Sequence, residues 1–374
     1  MNEIREKKTF TSVEEIMNNG INRDNAVVRE WDKVYCNLAK EILEKGEPYV
    51  SRAGEVAGSL FAPTFKLNVG KEFPILETKK LFVKNTISEL LWIYQAQTSD
   101  VQWLHDRDNH IWDEWIVDEN GDWHTVEYKE VNGEAVGIDK VKHIGKEFAG
   151  TIGSAYGYVV GKYKQTDKAL DILKNDPNNR RNIISLWQAP DLATGVLEPC
   201  VLWSHFVVKN GKLNLAVQQR SGDIPLGVPF NITQYSVLLS LFAKITGYEP
   251  GELSWRIDDA HIYKNQLEGM KLQLERFSKM RYIESLIKES TDTEVISLYK
   301  KLLDEYEHID VNNKDFKELE EYLTMLELMI TKPKPELYVA NKDSIYDYDN
   351  QKNNKDIYVK NYKPAPIIRF PVSK

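Results

Sequence analysis

The sequence has few cysteines and no long apolar run. Cys36 and Cys200 are its only cysteines in 374 residues. They are too few for a disulfide scaffold and are consistent with a reducing compartment, although the sequence allows a single disulfide between them. No stretch approaches the roughly 20 apolar residues that a membrane helix requires. The start, Met1–Lys8, is charged and lacks the apolar centre of a secretory signal. We therefore expect a cytoplasmic protein without a membrane partner.

An excess of positive charge is also missing. The formal net charge of −8 opposes non-specific nucleic-acid binding, which neutralises phosphates with a basic surface. We expect no specific nucleic-acid partner, and an anionic ligand would need a local basic pocket. The seven histidines show no H-E-x-x-H or Cys/His spacing typical of a metal site, so the sequence predicts no bound metal.

Hydrophobic periodicity predicts a mixture of helices and strands. The predicted helices are 31–46, 85–94, 233–246 and two amphipathic helices within 282–330, the first of which begins at a Thr291–Glu294 capping box. The β-prone runs are 59–69 with a bend at Pro63, 182–187, 201–208 and 213–219, the last two joined at Asn210–Gly211. The polar segment 117–150, with turn signals at Asn120–Gly121 and Asn132–Gly133, predicts a surface insertion.

Several motifs, each taken alone, allow both a structural and a functional explanation. Cys200 beside a β run is most often a buried small hydrophobe. The block 219–231 puts an arginine, a hydroxyl, a carboxylate and an amide on a strand end and the loop before a helix, where binding groups concentrate, but a structural turn explains it equally well. His261 and Tyr263 lie two apart and project to one face of an extended segment, or belong to the core. The pair Arg180–Arg181 is usually only solvated charge.

Taken together, the motifs resemble the thymidylate synthase family. The matching segments are Ser88–Trp92, His110–Trp115, Asp176–Arg181, Pro199–Cys200, Gln219–Ser221, Leu226–Asn231 and Asp259–Tyr263. The resemblance covers roughly 35–374, apart from a small-domain insertion at 118–150 and a helical insertion at 282–328. It implies an α+β fold with a large mixed sheet flanked by helices, a sheet-to-sheet homodimer, and one catalytic domain over 1–374 with an N-terminal extension 1–30.

The resemblance also implies a reaction, the reductive methylation of dUMP (deoxyuridylate) to dTMP by 5,10-methylenetetrahydrofolate. In the family a cysteine thiolate, here Cys200, adds to C6 of the uracil ring and makes C5 nucleophilic. Arg220 is expected beside the sulfur, where its charge favours the thiolate. Glu89 matches the general acid/base, and Tyr156 the group that assists proton removal from C5. The implied catalytic set is Cys200, Glu89, Arg220, Tyr156, Asp223 and Asn231.

Two further sets of residues are carried over from the family. The implied substrate-binding residues are Arg52, Arg180, Arg181, Arg220, Ser221, Asn231, His261 and Tyr263, with Arg180 and Arg181 reaching across the dimer. The implied folate-binding residues are Ile111, Trp112, Trp115, Leu197, Asp223, Gly227, Phe230 and Val372. Asn231 favours uracil, because an amide accepts from N3–H while it donates to O4.

The sequence departs from the family at three places. Val201 and Gln266 stand where many relatives have histidines, which we expect to weaken local hydrogen-bond networks. Lys374 stands last, where family members end in an apolar residue that closes over the folate. A leakier lid would admit water to the methylene intermediate, so dUMP hydroxymethylase is an alternative function. A non-catalytic nucleotide-binding scaffold that uses the helices of 282–328 for docking is the second alternative.

Overall fold

Helices and strands alternate along residues 7–373, the part of the chain that the computed structural model describes. The strands are β1 (Tyr49–Ser51), β2 (Gly54–Phe61), β3 (Thr64–Asn68), β4 (Asp122–Val131), β5 (Glu134–His143), β6 (Ile183–Ser185), β7 (Val201–Lys209), β8 (Lys212–Asp223), β9 (Glu249–Tyr263), β10 (Glu336–Val339) and β11 (Ile357–Lys360). The helices are α1 (Val13–Asn19), α2 (Glu30–Lys45), α3 (Val83–Tyr94), α4 (Gln102–His105), α5 (Gly157–Lys162), α6 (Gln165–Asn175), α7 (Gly227–Thr246), α8 (Leu267–Glu289), α9 (Asp292–His308) and α10 (Phe316–Thr331). Within the same range no helix combines the length and apolar character needed to cross a bilayer.

A seven-stranded mixed sheet organises the fold, in the order β1-β2-β9-β8-β7-β6 with β3 also paired to β9. Only the β8–β9 pairing within it is parallel. β7 and β8 meet at Asn210–Gly211, whose positive φ angles of 51° and 72° suit a two-residue hairpin turn, as the sequence predicted. The α+β class with a large mixed sheet is therefore confirmed.

Pro63 interrupts the predicted strand 59–69 as expected. β2 ends at Phe61, Ala62 takes a left-handed φ of 58°, and β3 begins at Thr64. Because proline has no N–H to donate to a sheet, it separates two strands rather than lying within one. β2 and β3 then pair with successive parts of the long strand β9.

Helix α7 forms the centre of the main core. Most of its side chains are buried, and it packs on β8, β9, α3 and α6. We expected this helix to begin near residue 233, but it begins at Gly227. Pro229 is tolerated in the first turn, where helix N–H groups have no intrahelical partner. Gly227, Phe230 and Asn231 therefore lie on the helix and not, as expected, in the loop before it.

A second hydrophobic core lies outside the sheet. It is built from α1, α9, α10 and the later part of α8, which runs on through Glu289. Its buried members include Ile16, Val28, Met280, Ile283, Val295, Tyr299, Tyr306, Leu323, Leu326 and Met329. The capping box at Thr291 and Glu294 is confirmed. The N-terminal extension is not merely a polar tail, because its residues Ile16 and Val28 are buried in this second core; residues 1–6 lie outside the described part of the chain.

A buried charge cluster joins the two cores. Nζ of Lys332, just after α10, bonds the carboxylate of Glu77, and Nε of Arg29 lies 3.3 Å from the same carboxylate. Asp32 accepts hydrogen bonds from the backbone N–H groups of Glu77 (2.9 Å) and the next residue (3.0 Å). Burial and the neighbouring charge of Glu77 raise the pKa of Asp32 to about 6. The four side chains are almost completely excluded from solvent, so each depends on the others for its charge partner.

The surface insertion is a single hairpin. β4 and β5 pair along their whole length and meet at the turn Asn132–Gly133, as predicted. Asn120–Gly121 does not join two strands, which corrects our expectation. It lies in a tight turn before β4, in which the Gly121 N–H donates to the Asp118 carbonyl at 3.0 Å.

Candidate active site

Strand pairing brings Cys200 to Arg220. Cys200 immediately precedes β7, and the backbone N–H of Arg220 on β8 donates to the Cys200 carbonyl at 2.8 Å. The guanidinium of Arg220 turns back to the same turn and donates to the carbonyl groups of Pro199 (3.1 Å) and Glu198 (2.7 Å). These bonds hold the arginine next to the cysteine before any ligand binds.

Burial and positive charge act in opposite directions on Cys200. Burial raises the pKa of the Cys200 thiol, while the charges of Arg220 and Arg52 lower it, and burial has the larger effect. Arg220 thus favours the thiolate, as expected, but does not by itself produce one. Cys200 and Cys36 are both free thiols, which excludes the disulfide that the sequence left open.

Glu89 lies half-buried on α3 between two donors. Its Oε1 accepts from the Trp112 indole at 2.8 Å, and its Oε2 accepts from the Gln234 amide at 2.7 Å. Burial raises the pKa of Glu89 to about 7, against the opposing effect of these two hydrogen bonds. A carboxyl group that titrates near neutral pH can both give and take a proton.

Tyr156 lies between Glu89 and Cys200. Its hydroxyl accepts from the Cys200 backbone N–H at 3.4 Å, and its ring lies 5.1 Å from that of Trp112. The residue has a left-handed φ of 48°, an uncommon conformation for a bulky side chain. The following Gly157 packs so closely on the segment after α3 that an added Cβ would lie 2.1 Å from the Thr98 carbonyl oxygen. The backbone therefore holds the Tyr156 ring in place.

A chain of side-chain hydrogen bonds orients Asn231. The Trp255 indole donates to Oε1 of Gln219 at 2.9 Å, and Nε2 of Gln219 donates to Oδ1 of Asn231 at 3.1 Å. Because an indole N–H can only donate, it fixes which end of the Gln219 amide faces Asn231. The Asn231 oxygen then faces Gln219, and its NH₂ group is left to donate elsewhere.

The parallel register of β8 and β9 places His261 and Tyr263 beside this group. Ser221 pairs with Asp259, and Asp223 pairs with His261. The His261 and Tyr263 rings are in edge-to-face contact with centroids 4.9 Å apart, and both side chains are buried. Burial and the charge of Asp223 raise the pKa of Tyr263 to about 12, against the opposing charge of Arg52.

Three of the four predicted phosphate-binding arginines are exposed. The side chains of Arg52, Arg180 and Arg181 have no hydrogen-bond or salt-bridge partner within residues 7–373. Arg52 lies near the cysteine, since its charge acts on the Cys200 pKa. Arg180 and Arg181 precede β6 at the far edge of the sheet. Within one chain, therefore, the four arginines do not converge.

Comparison with known proteins places this arrangement in one family. The thymidylate synthase family model matches residues 33–317. The chain is 40% identical over 246 residues to the thymidylate synthase of Clostridium beijerinckii, covering 66% of this chain and 82% of that protein. It is 38% identical over 250 residues to that of Mycoplasma mobile, covering 65% and 84%.

The chain belongs to the thymidylate synthase family. A solved structure, thermostable thymidylate synthase A from Bacillus subtilis, matches with a TM-score of 0.63 at 28% identity and covers 92% of this chain and 99% of that one. The chain is thus an enzyme, a methyltransferase. The names of its relatives favour thymidylate synthase activity over hydroxymethylation and over the non-catalytic scaffold.

The residues expected at the synthase's folate site differ in burial. Trp112 is buried, and its ring lies 5.4 Å from that of Trp115. Leu197 and Phe230 pack against the main core, and a Cβ added at Gly227 would lie 3.9 Å from Oδ1 of Asn231 and from Cβ of Asp223. Ile111 and Val372 are exposed. Lys374, the residue expected to affect lid closure, lies outside the described part of the chain.

Gln266, which we expected to weaken local hydrogen bonding, makes three hydrogen bonds. Its Nε2 donates to Asp223 at 2.9 Å and to the carbonyl of Pro371 at 3.3 Å, and its Oε1 accepts from the Tyr263 N–H at 3.1 Å. A glutamine amide both donates and accepts, so it can serve several partners at once. The departure from histidine therefore ties Asp223 to the C-terminal segment.

Sequence reasoning missed Lys79 and Gln234. Nζ of Lys79 bonds the carbonyl of Pro225 and lies 4.5 Å from the Phe370 ring centre. Burial lowers the pKa of Lys79 to about 7, with the charge of Asp223 acting against it. Gln234 follows Asn231 by one helical turn, which is a signal that the periodicity of α7 could have supplied. Nothing in the sequence around Lys79 marked it as buried.

One group within the described residues has the geometry to hold a metal ion. Ligand atoms of His105, His110 and Asp113 lie within 4.8 Å of one another. Asp113 already bonds both imidazoles, at 2.6 Å and 3.0 Å. The carboxylate is thus supplied with partners; His110 and Asp113 are exposed and His105 is partly buried.

Proposed function

We propose that this chain converts dUMP to dTMP by reductive methylation, through a covalent bond between Cys200 and C6 of the uracil ring. The observation that carries the proposal is that four chemical groups come together. They are the Cys200 thiol, the Arg220 guanidinium held by backbone carbonyls, the Glu89 carboxyl with a pKa near 7, and the oriented Asn231 amide. Each has the chemistry that one step of the reaction requires.

The residues divide the work as follows. Sγ of Cys200 adds to C6, and the C5–C6 π electrons move to O4, where the NH₂ group of Asn231 stabilises the negative charge. C5 then attacks the one-carbon unit. Tyr156, whose hydroxyl lies near the Cys200 backbone, assists removal of the C5 proton. Glu89 moves protons to and from the ring carbonyl and the folate, a role that suits its pKa near 7. Departure of the Cys200 thiolate from C6 completes the cycle.

The folate co-substrate, 5,10-methylenetetrahydrofolate, supplies both the one-carbon unit and the hydride and leaves as dihydrofolate. The aromatic walls Trp112 and Trp115 suit its flat rings. Asp223, held by Gln266 and the Leu226 N–H, offers a carboxylate to the pterin. No metal takes part in this scheme.

The phosphate of dUMP is bound, in this proposal, by two subunits. Arg52, Arg220 and Ser221 come from one subunit and Arg180 and Arg181 from its partner. The support is that Arg180 and Arg181 have no partner within the described chain and lie next to an uncovered sheet face. That face exposes Ile183 and Trp203, 48% and 36% of whose surface is accessible. A homodimer that packs sheet on sheet would cover these apolar side chains.

Mixing two inactive variants tests the shared site. Arg180→Ala/Arg181→Ala and Cys200→Ser subunits, unfolded and refolded together in equal amounts, should recover about one quarter of the parent activity, since half the dimers are mixed and each holds one intact site. No recovery, with dimers seen by sedimentation, would place the whole site in one subunit.

Base choice is assigned to Asn231, with His261 and Tyr263 holding the deoxyribose 3′-hydroxyl. Asn231→Asp replaces the NH₂ donor by an acceptor, so it should favour the cytosine nucleotide by about tenfold or more in kcat/KM relative to the parent. Competition between the two nucleotides measures this. Unchanged selectivity would show that another group reads the base.

Product analysis tests the reaction itself. The protein is incubated with dUMP and 5,10-methylenetetrahydrofolate, and both products are identified. dTMP with dihydrofolate supports the proposal. Hydroxymethyl-dUMP with tetrahydrofolate would instead show that water reaches the methylene intermediate, and no turnover would contradict catalysis of either kind.

We also propose that residues 1–374 form one catalytic domain to which the hairpin and the helical insertion have been added. The charge cluster around Glu77, which joins the second core to the main core, supports a single unit. The cytoplasmic location stays a prediction, with which two free thiols are compatible.

A further inference from the structure

The turn that carries Arg52 is the tip of a short hairpin. Ser51 pairs with Gly54 at the end of β1 and β2, so Arg52 and Ala53 form a two-residue loop. The only side-chain bonds within the turn come from Ser51, whose Oγ donates to the Gly54 carbonyl at 2.9 Å and accepts from the Ala53 N–H at 3.2 Å. Exposed hairpin tips are among the most mobile parts of a fold. An arginine at such a tip needs an external contact to keep one position.

The insertion hairpin supplies that contact. β4 lies against β1 and β2, and the backbone N–H of Tyr128 on β4 donates to the carbonyl of Arg52 at 2.8 Å. The Tyr128 N–H is free to do this because of the register of β4 and β5. Val131 and Glu134 flank the two-residue turn and form a hydrogen-bonded pair. Bonded and non-bonded pairs alternate along an antiparallel ladder, so Glu130 and Tyr128 point their N–H groups away from β5.

The same face of the hairpin lines a cleft beside the Arg52 turn. Val126, Tyr128 and Ala135 line one side of a cleft of about 440 Å³, whose other side includes Ala53, Gly54 and Val372. The hairpin therefore contacts the Arg52 turn and faces the C-terminal segment across this cleft. Arg52 itself is near enough to Cys200 for its charge to act on the thiol pKa.

We propose that the β4–β5 hairpin is a positioning element for nucleotide binding, in which the Tyr128 backbone N–H holds the Arg52 turn so that its guanidinium meets the phosphate. The inference rests on the proposed role of Arg52 in binding dUMP. Tyr128 acts through the turn and does not itself touch the substrate.

Three variants isolate the hydrogen bond. Tyr128→Pro removes the donating N–H but no β4–β5 bond, and proline is tolerated where a strand's N–H faces outward. Glu130→Pro is the matched control, because its N–H points the same way and meets no acceptor within residues 7–373. Tyr128→Ala removes the side chain and keeps the N–H.

Ligand binding and kinetics give the first readout. Tyr128→Pro should raise the Kd and KM for dUMP about three- to tenfold, the effect of losing one hydrogen bond, with kcat at saturation and the Kd for deoxyuridine, which lacks the phosphate, unchanged. Tyr128→Ala and Glu130→Pro should match the parent. An unchanged dUMP affinity in Tyr128→Pro, or an equal loss in Glu130→Pro or for deoxyuridine, would overturn the inference.

Proteolysis gives a readout that needs no ligand. Trypsin cuts after arginine, and it requires a mobile segment. Cleavage at Arg52–Ala53 should be faster in Tyr128→Pro than in the parent and in Glu130→Pro. If cleavage is faster in Tyr128→Pro but the parent binds dUMP and deoxyuridine equally, the assignment of Arg52 to the phosphate is wrong, although the Tyr128 N–H still holds the turn. If cleavage is unchanged, the Tyr128 N–H does not hold the Arg52 turn.

Discussion

The main core around α7 and the second core around α9 and α10 are built from the same kinds of side chain, yet they carry different parts of the protein. Every candidate catalytic residue lies on an element of the main core or on a loop between such elements. None lies on α1, α9 or α10. The cores meet at the buried charge cluster of Arg29, Asp32, Glu77 and Lys332. Burial alone therefore does not identify a functional helix or strand. The elements of the main core differ because their polar side chains come together at one site.

The largest effect should come from removing the nucleophile. Cys200→Ser should lower turnover by at least about a thousandfold, because a hydroxyl is a much weaker nucleophile than a thiolate. dUMP binding and the thermal midpoint should change little, since the residue is half-buried and the swap is small. Turnover, equilibrium binding and thermal unfolding measure the three. Turnover equal to that of the parent would remove Cys200 from the mechanism.

The junction between the cores should be the next most sensitive place. Lys332→Met leaves Glu77 with a buried charge and one partner fewer, and should lower the free energy of unfolding by about 3–5 kcal/mol. Lys40→Met, which removes an exposed ion pair with Glu44, is the control and should cost under about 0.5 kcal/mol. Denaturant titration compares them. Equal losses would mean that the buried cluster contributes no more to stability than an exposed ion pair.

Two leucine-to-alanine substitutions, one in each core, separate effects on stability from effects on activity. Leu326 on α10 and Leu238 on α7 are both fully buried, so changing either to Ala should cost about 2–5 kcal/mol. Leu238→Ala should also lower kcat, because α7 carries Asn231 and Gln234. Leu326→Ala should keep the parent kcat at a temperature where both variants are folded. A fall in kcat for Leu326→Ala would break the division between the cores.

The smallest effect concerns the pH dependence of stability. Glu89 has a pKa of about 7 in the folded protein, against an ordinary value of 4.5, so the folded state binds its proton more tightly and ionisation lowers stability as the pH rises through this range. Glu89→Gln removes that loss. Its stability relative to the parent should therefore rise by on the order of 1 kcal/mol between about pH 5 and about pH 8. Thermal unfolding at several pH values measures it, and a constant difference would contradict the raised pKa.

Much of this architecture followed from local patterns. The helices α2 and α3, the turn at Asn210–Gly211, the bend at Pro63 and the Thr291 cap were predicted because each depends on residues close in sequence. The start of α7 was missed, because proline and glycine at its first turn are typical of loops. The place of the N-terminal segment was missed too, since its apolar residues are few and their partners lie over 250 positions away.

The candidate site divides in the same way. The motifs named Cys200, Glu89, Arg220 and Asn231, but only tertiary contacts supplied Gln234 and Lys79 and gave Gln266 its place between Asp223 and the C-terminal segment. The contact of Tyr128 with Arg52 uses a backbone N–H, which every residue but proline has. No side-chain pattern could have identified it.

By itself, the sequence determined the family, the α+β class and the chemical groups available for the reaction, because residue types and their order are local properties. The tertiary structure alone decided which groups are buried, and hence that the pKa values of Glu89 and Lys79 both move to about 7. It also decided that the insertion hairpin reaches the Arg52 turn. Burial and long-range contact depend on how distant segments pack, and a desolvated charge responds to that packing rather than to its neighbours along the chain.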